Sequence, residues 1–141
     1  MKEAESNQKI RVLIVDDSLL VRERLSCRLG KINGVDIAGK ASDGPGAVDA
    51  FRKLLPDVVI LDLQMPGGSG IDVLATIKRD RPGTQVIILT NYPLAQFREI
   101  CRDCGAEYFF DKTCEFGKVS DVLKELAQRR SGATTSESQG I

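Results

Sequence analysis

Histidine is absent from this 141-residue chain. That excludes Ser-His-Asp and Cys-His catalysis, and it leaves no imidazole to carry a phosphoryl group or ligate a metal. Net charge is absent too, with 20 basic residues against 20 acidic. The balance gives no support to nucleic-acid binding, which favours a basic domain. No apolar run approaches membrane-spanning length. The opening MKEAESNQKI lacks the apolar stretch of a signal peptide, so a cytoplasmic protein is expected. Any chemistry must come from carboxylates, hydroxyls, lysines or thiols. The length suits one domain with a real core, and the 42% apolar content fits a soluble globular chain.

The four cysteines are Cys27, Cys101, Cys104 and Cys114. Cys101 and Cys104 have redox or zinc spacing, but Phe97, Ile100, Cys101 and Cys104 recur at helical spacing. They read as small apolar residues on a buried helix face. A thioredoxin-type pair would instead follow a strand and open a helix, and a reducing cytosol disfavours a disulfide.

Along the chain, strand-like and helix-like periodicity alternate five times. Ile10–Val15 reads as a strand, and Ser18–Leu29 as a helix with Val21, Leu25 and Leu29 on one face and Gly30 as its stop. A weaker strand covers Val35–Gly39. A helix over Ala47–Leu55 follows, opened by a Gly-Pro-Gly turn and closed before Pro56. Strand Val58–Leu61 precedes a helix over Ile71–Arg79. Strand Gln85–Leu89 precedes a helix from about Leu94 to Cys104, with Gly105 at its end. Strand Glu107–Phe110 leads to a last helix striped by Phe116, Val119, Val122, Leu123 and Leu126. Residues 9–130 form the predicted domain, 1–8 a flexible N-terminus, and the polar 131–141 a disordered tail. There is no internal repeat.

This order predicts an α/β fold: a doubly wound, five-stranded parallel sheet with helices on both faces. Five strands suit the flavodoxin-like order 2-1-3-4-5. No G-x-G-x-x-G follows the first strand, so a nicotinamide site fails at its first requirement. In such a sheet ligands bind at the carboxyl ends of the strands. Those ends carry Asp16 and Asp17, then Asp62, then Thr90, then Asp111 and Lys112; the second strand ends in nothing distinctive. Converging carboxylates repel one another, and a hard cation relieves this. An all-oxygen set selects magnesium, manganese or calcium over zinc. Magnesium binds through few carboxylates and completes its shell with a phosphate, to which Lys112 would offer a point charge and Thr90 a hydrogen bond. Asp62 ends an apolar strand, VVIL, before the glycine-rich QMPGGSG. It is the natural nucleophile for an acyl phosphate, since phosphoryl transfer needs little beyond positioning and charge stabilisation.

The stretches VLIVDDS, PDVVILDLQMPGGSG, VIILTNY and GAEYFFDK, in that order and spacing, resemble the receiver domain of two-component response regulators. The resemblance runs from Lys9 to about Arg129. It implies that Asp62 accepts a phosphoryl group from the phosphohistidine of a sensor histidine kinase or phosphotransfer protein. Asp16, Asp17, Asp62 and the backbone carbonyl of Gln64 would hold Mg2+. Lys112 would pair with the phosphoryl oxygens, and Thr90 would move to bond one of them. Phe109 falls where the family keeps a rotating aromatic that reports the phosphorylated state. The first helix would dock the kinase, and the fourth helix, fifth strand and fifth helix would form the responding face.

Three residues depart from the family pattern. Thr113 stands where a proline usually follows the lysine, often through a cis bond. A cis Lys112–Thr113 bond would carry ~2.5–4 kcal/mol, so a trans bond and a differently shaped loop are expected. Asn91 replaces the small residue after the switch threonine, and Pro93 should stiffen the start of the fourth helix. Gln64 and Tyr92, two residues past Asp62 and Thr90, flank the site and are expected to tune the phosphoryl lifetime. Because the sequence ends soon after the last helix, the expected protein is a single-domain regulator. It would signal through an unknown protein partner or relay the phosphoryl group, with a homodimer left open and no membrane or nucleic acid involved. The residues allow two alternatives: an unphosphorylated interaction module, and a magnesium-dependent phosphatase with an aspartate nucleophile. The second is opposed by adjacent Asp16 and Asp17, because such enzymes space their two aspartates by two after the first strand.

Overall fold

A computed structural model describes residues 9–139; the expected flexible segment 1–8 and residues 140–141 lie outside the described residues. Six apolar-rich residues form β1 (Ile10–Val15), and Ser18 then starts α1 (Leu19–Gly30), its Oγ accepting from the Val21 N–H at 3.2 Å. This satisfies one of the amides that a helix start leaves unpaired. β2 covers Val35–Ala41, longer than periodicity predicts because its pairing with β1 continues to Val15↔Ala41 past an irregularity at Val12/Leu13. α2 (Gly44–Leu54) starts three residues earlier than expected. The Gly-Pro-Gly sequence is not a turn before the helix. Asp43 caps it, accepting from the Gly46 N–H at 2.6 Å, and Pro45 lies in the first turn, where its fixed φ is already helical.

β3 is Val58–Leu61, buried along its whole length. Within the glycine-rich QMPGGSG stretch a two-residue antiparallel ladder then pairs Gln64–Met65 with Gly68–Ser69. Its turn uses Gly67 at φ 78°, a conformation side chains resist. α3 (Gly70–Asp80), β4 (Gln85–Thr90), α4 (Ala95–Asp103), β5 (Tyr108–Asp111) and α5 (Phe116–Gln139) complete the chain. α4 is capped by Cys104 and followed by Gly105, whose φ of 104° suits only glycine well. α5 continues to Gln139, through residues whose polar composition predicts a disordered tail. Extending a packed helix adds one hydrogen bond per residue without a new nucleation cost.

The five strands lie in the order β2-β1-β3-β4-β5, and every neighbouring pair is parallel. This is the 2-1-3-4-5 order expected from the sequence. Alternate residues feed two cores, as a period of two requires. On one face Val12, Ile14, Ile60, Ile87 and Leu89 pack with Leu25 and Leu29 of α1 and Val119 and Leu123 of α5. On the other, Leu13, Val59, Leu61, Val86 and Ile88 pack with Phe51 of α2, Leu74 and Ile77 of α3 and Cys101 of α4. Of the predicted cysteine face, Cys101 is buried and Cys104 half-buried, but Ile100 is exposed. All four cysteines are free thiols. The α4 stripe is narrower than its spacing suggests because one edge of the helix faces solvent.

Gly70 opens α3 against the end of β3. A Cβ there would stand 2.7 Å from the Leu63 Cα and nearer still to the Asp62 carbonyl oxygen. Backbone cannot yield as a side-chain tip can. Gly70→Ala is therefore expected to destabilise the fold by about 2–3 kcal/mol, read as a lower urea midpoint. Gly83→Ala, where the added methyl meets nothing within 4 Å, is the control.

Candidate functional site

The parallel sheet turns five strand ends to one rim, and its order places β1, β3, β4 and β5 side by side. Asp16 follows β1 and is 2% exposed; Asp62 follows β3 and is 4% exposed. Each is fixed by its backbone: the Asp16 N–H donates to Ala41 O, and the Asp62 N–H to Val15 O at 3.0 Å. Lys112, just past β5, reaches back to both. Its Nζ lies 2.7 Å from Asp16 Oδ2 and 3.4 Å from Asp62 Oδ2. The remaining carboxylate oxygens accept from the loop backbone. Ser18 N–H donates to Asp16 Oδ1 at 2.9 Å, and Gln64 N–H to Asp62 Oδ1 at 3.3 Å.

Asp17 is exposed, with a carboxylate oxygen in a cluster formed with Asp16 and Asp62, all within 4.8 Å of one another. Ser18, not Asp17, caps α1, so the Asp17 carboxylate is not committed to the helix start. One ammonium pairs with two of the three clustered carboxylates, and every donor is oxygen. The residues therefore fit a hard divalent cation such as Mg2+.

Burial pushes the Asp62 carboxyl from the ordinary 3.8 up to about 6. Lost hydration is the main cause, the Lys112 ammonium opposes it, and the neighbouring Asp16 adds to it. An ionised Asp62 is thus held at a cost that an additional cation would relieve.

The other predicted residues fall into place unevenly. Thr90, at the end of β4, is fully buried, and its Oγ1 accepts from the Tyr92 N–H at 3.0 Å. Its carbonyl accepts from the Lys112 N–H at 2.8 Å, tying β4 to the lysine loop. Gln64 lies in the short ladder beyond Asp62, with an exposed side chain. Asn91 and Tyr92 are exposed at the rim. Asp111 does not join the cluster. Its carboxylate accepts from the Thr113 N–H at 2.8 Å and from Cys114 Sγ at 3.2 Å. Those bonds, the Thr113 amide first, hold it below the usual carboxylate range. It shapes the β5–α5 turn, as aspartate often does. The Lys112–Thr113 peptide is trans, as expected without proline.

Phe109 is 8% exposed, within the core cluster that contains Ile88 and Cys101. The guanidinium of Arg98 lies over its ring, 4.6 Å from the centroid. Arg22 donates to the Asp16 carbonyl at 2.7 Å. Neither arginine is singled out by sequence. Arg22, one helical turn past Ser18, could have been found from its spacing, but nothing local links Arg98 to β5.

A family model described as the response regulator receiver domain matches residues 12–124. TcrX of Mycobacterium tuberculosis, named a probable transcriptional regulatory protein, is 35% identical over 131 residues, which are 93% of this chain and 55% of that protein. The chain spans about half the length of this curated relative. The response regulator domain of Thermotoga maritima CheB superposes with a TM-score of 0.76 at 30% identity, covering 87% of this chain and 97% of that one. A chain of the CheX-CheY-BeF3-Mg2+ complex of Borrelia burgdorferi gives a TM-score of 0.76 at 29% identity, covering 83% of this chain and 88% of that one. Among the described residues no helix is long and apolar enough to cross a membrane.

Because the Asp62 pKa is higher folded than unfolded, its carboxyl favours folding at low pH. That contribution is lost as pH rises from about 4 through about 6. Two pH units would amount to ~3 kcal/mol; with water reaching the rim, about 1–2 kcal/mol is expected. Without divalent cations, Asp62→Asn should therefore be more stable than wild type at pH 8 by about that amount. Urea unfolding at both pH values should show the gap closing at pH 4.

Proposed function

The chain belongs to the response regulator receiver domain family, and from that premise we propose that Asp62 is its phosphoryl acceptor. The observation that carries this reading is the burial of Asp62 against Lys112 inside an acidic cluster. Burial makes an ionised carboxylate costly to keep there. A nucleophile gains an oriented oxygen, and an ammonium already placed for the incoming phosphoryl charge.

An Asp62 carboxylate oxygen attacks the phosphorus of a phosphohistidine on a sensor kinase or phosphotransfer protein. The O–P bond forms as the N–P bond breaks, and the leaving imidazole nitrogen takes up a proton. Lys112 neutralises charge on the transferred group, and Thr90 gives up its Tyr92 contact to donate a hydrogen bond to a phosphoryl oxygen. Asp16, Asp17, Asp62 and the Gln64 carbonyl would hold Mg2+, which supplies charge neutralisation across the acceptor and the phosphoryl oxygens. The acyl phosphate then shifts the population of a protein-binding face, or passes on as a relay intermediate. The receiver chemistry serves regulation and needs no substrate turnover.

Mass spectrometry of the intact chain with a small acyl-phosphate donor tests this. One added phosphoryl group is expected with magnesium, and none with chelator or in Asp62→Asn. Lys112→Met should slow its formation by about 100-fold or more. Asp17→Asn should weaken magnesium binding about tenfold or more, read by titration calorimetry. Magnesium binding without any adduct, even transiently, would favour an unphosphorylated interaction module.

A further inference from the structure

Arg98 is exposed on α4, yet its guanidinium folds back over Phe109. It lies 4.6 Å from the ring centroid, and Nη1 donates to the Phe109 carbonyl at 3.2 Å. Two contacts of different kinds thus join one side chain to one residue. A cation over an aromatic face is attracted by the ring's quadrupole, and a charged donor strengthens the bond to the carbonyl. Among the described residues Arg98 takes part in no salt bridge, and the carboxylate that feels its charge, Glu115, is held mainly by the Asp111 N–H and Lys118.

The register gives these contacts their meaning. Phe109 pairs with Ile88 and Asp111 with Thr90, and Ile88 and Phe109 belong to the same buried cluster. Thr90, two residues past Ile88, points to that face too. The Thr90 hydroxyl and the Phe109 ring therefore sit on adjacent strands of one face, as diagonal neighbours. A ring that swings out of the core gives up the stacked geometry that the Phe109 carbonyl, through its bond to Nη1, holds in place.

We propose that Arg98 is a positioning residue that latches the Phe109 ring inward and so sets how far this aromatic can move before Asp62 is phosphorylated. The proposal rests on the reading of Phe109 as the responsive aromatic of that site. Its physical core, the ring orientation, can be measured without phosphorylation. In a two-state ring, the population that a later signal can shift is what the latch leaves over.

Fluorine NMR of the full chain carrying fluorophenylalanine, with Phe109 assigned through Phe109→Leu, reports the ring directly. Wild type should show one buried resonance. Arg98→Met keeps the stem and loses the guanidinium, and should raise the outward population about tenfold. Arg98→Lys retains a cation but not the planar fork, and should fall between the two. Thermal melting of each variant confirms the fold. An unchanged Phe109 resonance in folded Arg98→Met overturns the latch, whether or not Asp62 takes a phosphoryl group. A wild-type chain that takes none, with a ring that still responds to Arg98→Met, overturns the proposed function and leaves the latch standing.

Discussion

A carboxylate with little access to water must find its compensation nearby, and Asp62 finds it in Lys112, 50 residues further along the chain. That pairing requires β3, β4 and β5 to stand side by side and in parallel, so that their ends share a rim. It also requires Thr90 to hold the lysine loop by its carbonyl. The sheet order and the site are therefore one constraint. A β5 placed at the opposite edge, beside β2, would leave Asp62 without its ammonium.

The loops around the rim are shaped by that same demand. The short ladder after β3 turns through Gly67 and returns to Gly70, whose backbone sits against Asp62 too closely for any side chain. On the other side of the ladder, the Gly44 N–H reaches the Pro66 carbonyl at 3.4 Å, and Gly67 abuts Pro45. The glycine-rich stretch is thus anchored at the Gly44–Pro66 contact and at Gly70, while Gln64, Pro66, Gly67 and Ser69 face solvent. Far from the rim, Lys78 ties the end of α3 to β5. Its ammonium lies 2.6 Å from Glu107 Oε2 and 2.6 Å from the Thr84 carbonyl, while Glu107 Oε1 accepts from Val86 N–H. This closes the lower edge of the β4–β5 pair, whose upper edge carries Thr90 and Lys112.

The fold and receiver family are common to this chain and its relatives, while partners and output belong to each. One exposed apolar surface of this chain lies around α4. Tyr92, Leu94 and Ile100 are exposed there, and Arg98 bridges the helix to the aromatic on β5. The charge and apolar pattern of that helix is therefore physically linked to the residue that would register a change at Asp62.

Hydrophobic periodicity and the residues punctuating it determined much by themselves. They marked five strands and five helices, and the acids, hydroxyl and lysine at the strand ends. That was legible because burial imposes a period of two or 3.6 on apolar residues, and because strand ends follow directly from that period. Element limits set by caps were less legible: α2 begins at Gly44 because Asp43 folds over its amides, which periodicity does not register. The family resemblance had already grouped Asp16, Asp17 and Asp62, and tertiary structure decided how the carboxylates turn. Asp16 and Asp62 turn toward Lys112, while Asp111, next to that lysine in sequence, turns away to its own loop. Tertiary structure alone placed Arg98 over Phe109 and made Gly70 a contact point for Asp62. Each depends on the distance between atoms on different elements, and a linear pattern carries no such distance until the sheet has closed.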